Sequence, residues 1–376
     1  MSPAEWANAN ASVNTNTMRA WAYKKRGTPP NVLSLTEAMK KPTLPSDSSV
    51  LVQVAYTALN PVGAYVMQLV PECLRAKGTQ FVPEMDFSGT IVEVGPGVPS
   101  ERELDVGTSV FGSVDVKAHV RQGAGALAEY VAVEADSVVK KPASASLEEV
   151  AGLGVAGATA ISLLASTRLE KGMKVLLNGA SGGIGHIMVQ LVKNAVGPDG
   201  RVVAVCSGKN AAMVQELGAD EVIDYTEHRS LPQYLTKRFL ISRFDAIFDS
   251  YGSQDLWTHC PKYLRAGQPF VTVGPAISEP TPAAAFQAIK LMLLNKFWPR
   301  AWGGVPRPYV QPNCLANLGD MAELAGLVDE GKLKILTETY RFEDAQKAYD
   351  KLLSRRAAGK IVIEIREDSW ANEKMM

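Results

Sequence analysis

The sequence predicts an α/β protein of about two domains, one built on a doubly wound parallel sheet and the other a β-rich, partly antiparallel barrel. Three observations support this class. The chain has 376 residues, of which 46% are hydrophobic and 21% are charged, as in ordinary globular domains. Short β-rich runs separated by Gly and Pro make up the first half. In the second half, strand-like and helix-like patterns alternate.

The β-rich half extends from Met18 to about Lys141. Its runs include VLVQVAYTALNP, FSGTIVEVGPG and LAEYVAVEADSVVKKP, which carry alternating or β-branched apolar residues. Such runs, punctuated by Gly and Pro, predict a barrel-like domain. Residues 1–17 are rich in Asn and are expected to form a disordered tail. They lack Arg and the pattern of a charged segment followed by an apolar one, so they resemble neither a transit peptide nor a secretory signal.

The alternating half begins at about Ser146. Its short apolar runs are of the kind buried on both faces of a sheet, and HIMVQLVKNAV has helical spacing. Because parallel neighbours need a crossover helix, this order predicts a Rossmann-type domain. The last strand, KIVIEI, is expected to rejoin the barrel. The expected domains are residues 18–150 together with 320–376 for the barrel, and residues 151–319 for the Rossmann unit.

Charge and cysteine content argue against several classes of function. Lys plus Arg and Asp plus Glu both number 39, so net charge gives no drive toward nucleic acid. The cysteines form no C-x-x-C pair, which argues against a structural zinc site and a disulfide framework. We expect a reducing, cytoplasmic location.

The most informative segment is KVLLNGASGGIGHIMVQLVK, an apolar strand followed by a glycine turn and an amphipathic helix. A dinucleotide diphosphate needs backbone N–H groups at a helix N-terminus, and glycine allows close approach because it has no Cβ. Ala180 replaces the first glycine of the usual G-x-G-x-x-G pattern. The alternative is a tight turn whose glycines serve packing alone. The candidate cofactor-binding residues here are Gly179, Ser181, Gly182, Gly183, Ile184 and Gly185.

The choice of nicotinamide cofactor is expected to depend on the end of the next strand. An acidic residue there would bind the ribose 2′-hydroxyl of NAD, but RVVAV is followed by Cys206-Ser207-Gly208-Lys209-Asn210. Lys209 could pair with a 2′-phosphate and Ser207 could donate a hydrogen bond, so this loop, with Asn210, favours NADP(H). The alternative for Lys209 is a solvated surface lysine. Tyr225, after the following strand, could lie against the adenosine end of the cofactor or serve packing.

Six segments, in this order and at these separations, link the chain to a known family: ALNPVGAY (58–65), PEMDFSGTIVEVGPGV (83–98), GATA (157–160), NGASGGIGHIMVQ (178–190), LGADEVIDY (217–225) and AAGKIVIEI (357–365). With them the chain resembles the medium-chain dehydrogenase/reductase superfamily, specifically its zinc-independent quinone oxidoreductase branch. The resemblance covers about Met18 to Ile365 and implies a GroES-like barrel beside the Rossmann domain.

The resemblance also implies that no metal is bound. Zinc-dependent alcohol dehydrogenases of the superfamily have a cysteine where this chain has Asn60, and a His-Glu pair where it has Met85-Asp86. An amide and a thioether cannot replace thiolate and imidazole ligands. The four histidines are scattered without the spacing of ligands: His119, His186, His228 and His259.

By the same resemblance, Asn60 and Tyr65 are the candidate catalytic residues. Asn60 would orient the cofactor, and Tyr65 would act as an electrophilic donor or as the acid that protonates an enolate; the alternative for Tyr65 is a packing role. The branch usually has an acidic residue three positions after the asparagine, where this chain has Gly63, so a carboxylate relay would lack its acid. The resemblance places Thr159, Val273 and Gly274 near the nicotinamide, and it implies that Lys360 approaches the cofactor from the returning strand.

Residues 283–309 are unusually apolar and aromatic for a connection between strands. Because Lys290 and Lys296 interrupt the segment, it never reaches the apolar length of a spanning helix. We expect a basic amphipathic helix that lies on a membrane surface or covers a hydrophobic substrate pocket. The alternative is a helix buried at a subunit interface, as in a homodimer, or against its own domain.

Without a metal to polarise a carbonyl, hydride transfer depends on hydrogen-bond donors and an easily reduced acceptor. The sequence therefore favours an NADPH-dependent oxidoreductase that reduces a small lipophilic quinone or α,β-unsaturated carbonyl. One alternative is a trans-acting enoyl reductase that receives a carrier-bound substrate from a partner. The other is a non-catalytic NADPH-binding protein that docks on a membrane or partner through residues 283–309.

Overall fold

The computed structural model describes residues 16–76, 78–277 and 279–366. Most of the predicted N-terminal tail lies outside these residues. Thr17, which we expected in the tail, is instead the first residue of a strand, because it pairs with Lys40 of the next strand.

The described elements follow the predicted order of a β-rich half and an alternating half. The strands are β1 (Thr17–Ala22), β2 (Ser34–Lys40), β3 (Ser49–Ala58), β4 (Asp86–Val94), β5 (Ser109–Ser113), β6 (Tyr130–Glu134), β7 (Val138–Lys140), β8 (Lys174–Asn178), β9 (Arg201–Cys206), β10 (Glu221–Asp224), β11 (Ala246–Asp249), β12 (Phe270–Thr272), β13 (Tyr309–Val310), β14 (Thr337–Arg341) and β15 (Lys360–Glu364). The α-helices are α1 (Pro29–Val32), α2 (Pro61–Leu69), α3 (Leu147–Val150), α4 (Ala158–Ala165), α5 (Gly185–Val196), α6 (Ala211–Glu216), α7 (Leu231–Phe239), α8 (Gln254–His259), α9 (Pro282–Phe297), α10 (Leu318–Asp329) and α11 (Ala345–Leu353).

The barrel domain is organised around β3, a ten-residue strand whose apolar residues are almost all buried. The main sheet has the order β14-β15-β3-β4-β5-β7, and β6 pairs with the first half of β3. Its neighbours are antiparallel except for β14 and β15, which run parallel. This arrangement confirms the predicted β-rich, partly antiparallel domain.

The chain returns to the barrel sheet through its last strands. Strand β15 pairs with the end of β3, where Val362 lies opposite Ala58. We expected this return to begin at residue 320, but α10 packs Met321 and Leu324 into a core shared with Phe111 of the barrel and with the Rossmann helices. This helix therefore lies at the junction of the domains, and the barrel resumes at β14.

The Rossmann domain has the strand order β10-β9-β8-β11-β12-β13, and every pairing within it is parallel. Val175, Leu176 and Leu177 of β8 are completely buried because helices cover both faces of the sheet. The strand order reverses between β8 and β11, and in such sheets ligands bind at the carboxyl ends of the strands beside the reversal. The predicted doubly wound fold is thus confirmed, and it directs attention to the ends of these two strands.

The apolar segment after β12 forms α9, which covers most of the predicted amphipathic stretch. None of its residues is buried. Phe286, Ile289, Leu293 and Phe297 recur at helical spacing and are exposed. The other side of the helix is half-buried, and Asn295 exchanges hydrogen bonds of 2.8 and 2.9 Å with Gln254 of α8. The helix therefore packs on its own domain through one side, while its apolar face remains exposed. Within the described residues, no helix combines the length and apolar character needed to cross a membrane.

Candidate active site

The predicted phosphate loop joins β8 to α5 and has two different kinds of glycine. A Cβ on Gly185 would lie 2.0 Å from the carbonyl oxygen of Gly179, so the turn itself excludes a side chain there. At Gly182 the nearest atom to such a Cβ is 3.5 Å away, which is ordinary contact. Packing alone therefore explains Gly185 but not Gly182. An open glycine face before a helix N-terminus fits a ligand that approaches the backbone closely, such as a diphosphate.

The phosphate loop is tied to the turn that follows β9. Asn210 Nδ2 donates a hydrogen bond of 3.0 Å to Ser181 Oγ, and the Asn210 N–H donates one of 2.9 Å to the Ser207 carbonyl. The structure thus brings together three residues that the sequence assigned to the cofactor. Lys209 and Tyr225 are exposed at the rim of the same region.

A carboxylate that the sequence did not predict lies at this rim. Asp224 ends β10, and its Oδ2 would be 2.2 Å from a Cβ on Gly208. Hydrogen bonds from Thr226, together with one from the Gly208 N–H, lower the pKa of Asp224. The loop after β9 has no acid of its own, but the parallel neighbour places one beside it in space. The only signal in the sequence was the position of Asp224 at the carboxyl end of the adjacent strand.

Lys360 connects the barrel with the phosphate loop. Its Nζ donates hydrogen bonds to Asn60 Oδ1 at 2.7 Å and to the Leu59 carbonyl at 3.2 Å. A Cβ on Gly183 would lie 3.1 Å from Lys360 Cδ, so the lysine stem packs on the loop. In addition, the N–H of Gly359 donates a 2.9 Å hydrogen bond to the Ser181 carbonyl. Asn60 and Lys360, which are 300 residues apart in sequence, are therefore direct partners.

Asp86 completes this contact from the barrel side. Asn60 Nδ2 donates to Asp86 Oδ2 at 2.8 Å, and the Val155 N–H donates to Asp86 Oδ1 at 2.8 Å. Lys360 Nζ is 3.8 Å from Asp86 Oδ2. Burial raises the pKa of Asp86 and lowers that of Lys360, and the attraction between the two groups opposes both shifts.

Glu84 is a second buried carboxylate that the sequence did not predict. Its Oε2 accepts a 3.0 Å hydrogen bond from the Asn60 N–H, and its Oε1 accepts one of 2.7 Å from the Tyr349 hydroxyl. Burial raises the pKa of Glu84 to about 7, and the hydrogen bonds from Tyr349 and Asn60 oppose the shift. Asn60 is thus held by one carboxylate at its main chain and by another at its side chain.

Tyr65 lies on α2 and faces the loop that follows β12. Its hydroxyl donates a 3.4 Å hydrogen bond to the carbonyl of Ile277, which also accepts from the guanidinium of Arg355. Arg355 Nη1 lies 3.2 Å from the hydroxyl of Tyr251. The half-buried Tyr65 side chain therefore faces a junction between the domains rather than the interior of the barrel.

The remaining predicted residues are placed along the edge of the Rossmann sheet. The Thr159 hydroxyl donates to the Val155 carbonyl at 2.7 Å, the Val273 N–H donates to the Asp249 carbonyl at 3.2 Å, and the Gly274 N–H donates to Thr272 Oγ1 at 3.1 Å. Thr159 and Val155 lie beside the barrel contact at Asp86. Val273 and Gly274 lie at the end of β12.

Two buried polar atoms near this edge lack hydrogen-bond partners among the described residues. They are Ser250 Oγ, after β11, and Gln311 Oε1, after β13. Gln311 lies against Gly274, since a Cβ on that glycine would be 2.6 Å from Gln311 Nε2. Buried polar atoms normally find a partner, so these acceptors fit a polar ligand such as a carboxamide. Together with the open face of Gly182, they fit a nicotinamide dinucleotide lying across the strand ends.

The donor set around Asn60 does not fit a zinc ion. It consists of an amide and two carboxylates, which Val155, Tyr349, Asn60 and Lys360 already engage, and Met85 adds only a buried thioether. Across the residues that the structure describes, no three His, Cys, Asp or Glu side chains gather as a metal site would require. His186 lies in the first turn of α5: its Nδ1 is 3.0 Å from the Gly182 carbonyl, and burial lowers its pKa to about 4.

Comparison with known families and proteins gives consistent matches. The model of the alcohol dehydrogenase GroES-like domain matches residues 46–143, and that of the zinc-binding dehydrogenase matches residues 217–363. A trans-enoyl reductase of Penicillium oxalicum is 32% identical and covers 94% of this chain and 99% of its own length. A medium chain reductase of Acremonium sp. is 34% identical over 93% of this chain and all of its own. A chloroplastic NADPH-dependent alkenal/one oxidoreductase of Arabidopsis thaliana is 31% identical, over 81% of this chain and 76% of its own length.

Solved structures show the same fold at lower identity. The quinone oxidoreductase from Coxiella burnetii has a TM-score of 0.75 and 24% identity, and the alignment covers 93% of this chain and 100% of that one. The Escherichia coli quinone oxidoreductase complexed with NADPH has a TM-score of 0.70 and 20% identity, and the alignment covers 92% of this chain and 100% of that one. Both alignments therefore cover nearly all of this chain.

Proposed function

Because the chain belongs to the medium-chain dehydrogenase/reductase superfamily, in its quinone oxidoreductase-like part, and is an oxidoreductase of that type, we propose that it reduces α,β-unsaturated carbonyl compounds with NADPH. The observation that carries this proposal is the contact of Lys360 and Asn60 at the phosphate loop. It would place a lysine ammonium and an amide, neither of them a zinc ligand here, in the wall beside a bound nicotinamide. An activated alkene suits such a site because hydride addition to its β-carbon needs no Lewis acid.

The bound cofactor would supply a hydride, and the residues of this chain would hold and orient the cofactor. The N–H groups around Ser181 and Gly182 would bind the diphosphate, and Gln311, Thr159 and the Val273-Gly274 backbone would hold the carboxamide end. Ser207, Lys209 and Asn210 would bind a 2′-phosphate. Asn60 and Lys360 would form the wall of the nicotinamide site.

Tyr65 would act on the substrate. As the hydride adds to the β-carbon, the electron pair of the C=C bond moves toward the carbonyl oxygen and forms an enolate. The Tyr65 hydroxyl would donate a hydrogen bond to that oxygen or, with water as the alternative donor, give the proton to the α-carbon. Among the residues that the structure describes, this hydroxyl bonds to the Ile277 carbonyl at the long distance of 3.4 Å, so a substrate oxygen can replace that partner.

A substrate delivered by a partner protein is favoured over a free one. Two relatives that cover nearly the whole chain are a trans-enoyl reductase and a medium chain reductase. The exposed apolar face of α9 lies in a stretch, residues 280–319, that has four basic and no acidic residues. An apolar surface with this charge suits an acidic protein that carries an enoyl thioester. Helix α9 begins five residues after Ile277, the residue whose carbonyl the Tyr65 hydroxyl contacts.

The reaction is tested with purified protein, NADPH and a panel of free enals, enones, quinones and enoyl thioesters. Oxidation of NADPH with thioesters alone would support the partner-delivered substrate, whereas oxidation with free enals or quinones would support the small lipophilic substrate. If no acceptor oxidises NADPH, the proposal is wrong. We expect Tyr65→Phe to lower kcat by about 10- to 100-fold. The matched control is Tyr130→Phe, since Tyr130 lies on β6 and bonds to Gln53.

The role of α9 is tested with a variant in which Phe286, Leu293 and Phe297 are changed to Ser. A higher KM for the carrier-bound thioester, with unchanged reduction of a small enal, would support docking of a partner. Loss of flotation with anionic vesicles would instead show membrane contact, and loss of a dimer in solution would show a subunit interface. The control changes Leu240 and Ile241, exposed apolar residues at the end of α7, to Ser.

A further inference from the structure

We propose that Glu84, which lies in the loop before β4, supplies the carboxylate that the chain lacks at position 63. In this role it is a positioning residue for Asn60 and, through Asn60, for the ammonium group of Lys360. The expected effect of Glu84 on kcat rests on the proposed function, whereas the contacts that Glu84 makes do not.

The carboxylate of Glu84 occupies the space next to Gly63. A Cβ built on Gly63 would lie 2.4 Å from Glu84 Oε1 and 2.7 Å from Oε2, closer than any side chain tolerates. Both residues are fully enclosed, so neither can move aside into solvent. A side chain at position 63 would therefore have to displace the carboxylate of Glu84 from its present position. The glycine leaves a gap that the glutamate fills.

The hydrogen bond of Glu84 is the one that an acid at position 63 would make. Asn60 is the N-cap of α2, and Gly63 is the third residue of the helix. In a capping box, the side chain at that third position accepts a hydrogen bond from the N–H of the N-cap residue. Here Glu84 Oε2 accepts the Asn60 N–H at 3.0 Å. The carboxylate reaches the same donor from another part of the chain.

The backbone at position 84 indicates that the side chain is retained for its contacts. Glu84 has a φ of 64°, in the left-handed region that glycine adopts without strain. Glu103 and Arg355 also have positive φ, but both are exposed, whereas Glu84 is fully buried. A buried carboxylate on a strained backbone is doubly costly, and such residues cluster at functional sites.

From Glu84 the contacts lead to Lys360 through a single residue. Glu84 holds the main-chain N–H of Asn60, and Asp86 Oδ2 accepts its side-chain Nδ2 at 2.8 Å. These two contacts leave Asn60 Oδ1 directed at Lys360 Nζ, 2.7 Å away. Without Glu84, the Asn60 amide loses its main-chain anchor, and Lys360 loses a fixed acceptor beside the phosphate loop. If Glu84 served only to cap α2, its removal would not change the position of the Lys360 ammonium group.

The experiment moves the carboxylate between the two positions. The variants are Glu84→Gly, the swap Glu84→Gly/Gly63→Glu, and Glu103→Gly as a control for placing glycine at an exposed left-handed glutamate. Two quantities are the main readouts: the rate at which an amine-reactive reagent labels Lys360, followed by mass spectrometry, and kcat for enone reduction. The dissociation constant of NADPH is measured as a third quantity, for comparison with kcat.

We expect Glu84→Gly to raise the labelling rate of Lys360 at least about tenfold and to lower kcat by about 10- to 100-fold, with a change below about threefold in the dissociation constant of NADPH. The swap should restore both quantities to within about fivefold of wild type, and Glu103→Gly should change neither. Normal labelling and kcat in Glu84→Gly, or a folded swap that behaves like Glu84→Gly, would overturn the proposal.

A second pair of variants decides the matter if the swap does not fold. Glu84→Gln keeps an oxygen acceptor for the Asn60 N–H, and Glu84→Leu removes it at similar size. Protection of Lys360 should persist in the first and be lost in the second, and equal labelling in both would contradict a positioning role. If wild type reduces no acceptor, the proposed function fails, yet the labelling of Lys360 still tests the role of Glu84.

Discussion

The ammonium of Lys360 lies 3.8 Å from the carboxylate of Asp86, and neither side chain is exposed by more than 3%. Asn60 bridges the two groups, with its amide oxygen on the lysine and its amide nitrogen on the aspartate. The pair belongs to the barrel, but the lysine stem rests on the phosphate loop. The charge at the centre of the candidate site is therefore balanced by the barrel and positioned by both domains.

Removing one member of this pair should cost more stability than removing both. We expect Lys360→Met to lower the free energy of unfolding by about 3–5 kcal/mol, because it leaves the Asp86 carboxylate buried without its cation. The double variant Lys360→Met/Asp86→Asn should regain more than half of that loss. Urea denaturation of the wild type, Lys360→Met, Asp86→Asn and the double variant gives the coupling energy between the two charges. Additive losses would show that the two charges do not depend on each other.

Substitution by alanine should have different effects at the two kinds of glycine in the phosphate loop: loss of cofactor binding at one and loss of stability at the other. Gly182→Ala should leave the melting temperature within about 2 °C, since its Cβ has room, but should weaken NADPH binding at least about tenfold. Gly185→Ala should lower the melting temperature, because its Cβ would meet the Gly179 carbonyl. Thermal denaturation and fluorescence titration separate the two effects. Gly326→Ala, in α10 with open space around it, is the control for both.

Glu84 should make stability fall as the pH rises toward neutrality. Its pKa is about 7 in the folded protein against an ordinary value of 4.5, so between these limits the folded state binds the proton more tightly than the unfolded state. Stability from this group is complete below about pH 4.5 and decreases by about 3 kcal/mol as the pH passes 7. Glu84→Gln should lack this decrease. Urea denaturation of both proteins at several pH values tests it, and parallel profiles would contradict the expectation.

Asp224 should limit the preference for NADPH over NADH. Its charge lies at the Gly208 turn, and Lys209, the next residue in the sequence, belongs to the loop where a 2′-phosphate would bind. We expect Asp224→Asn to tighten NADPH binding by about threefold to tenfold at low salt, with little gain for NADH. Lys209→Ala should act in the opposite direction. Titration with both nucleotides measures the ratio, and Asp199→Asn, an exposed acid elsewhere, controls for net charge.

The sequence predicted the features that depend on local patterns. The strand-turn-helix order around Gly179 to Gly185 and the alternation of strands and helices follow from periodicity and turn residues, and both were correctly placed. The return of the last strand was visible as KIVIEI beyond the nucleotide-binding unit. No spacing in the sequence predicts the contact between Asn60 and Lys360, although both residues were singled out through the family resemblance.

The features that the sequence did not predict depend on distant parts of the chain. Tyr349 and Glu84 are separated by 265 positions, and no local pattern connects them. Glu84 also has a backbone conformation that its residue type does not suggest, so its place beside Gly63 could not be inferred. Asp224 follows a different strand from the loop expected to choose the cofactor, and only the assembled sheet brings the two strand ends together. In each case tertiary placement, not residue type, gives the side chain its neighbours.

The 2.9 Å hydrogen bond between Gly359 and Ser181 also bears on how the protein matures on the ribosome. Lys360 follows its partner Leu59 by 301 positions, so at about 5–20 residues per second roughly 15–60 s of translation separate them. During that interval the Tyr56–Ala58 end of β3 lacks its β15 neighbour, and the phosphate loop lacks its lysine. A nascent chain can thus complete the Rossmann sheet before the strand that supplies Lys360 to the phosphate loop has emerged.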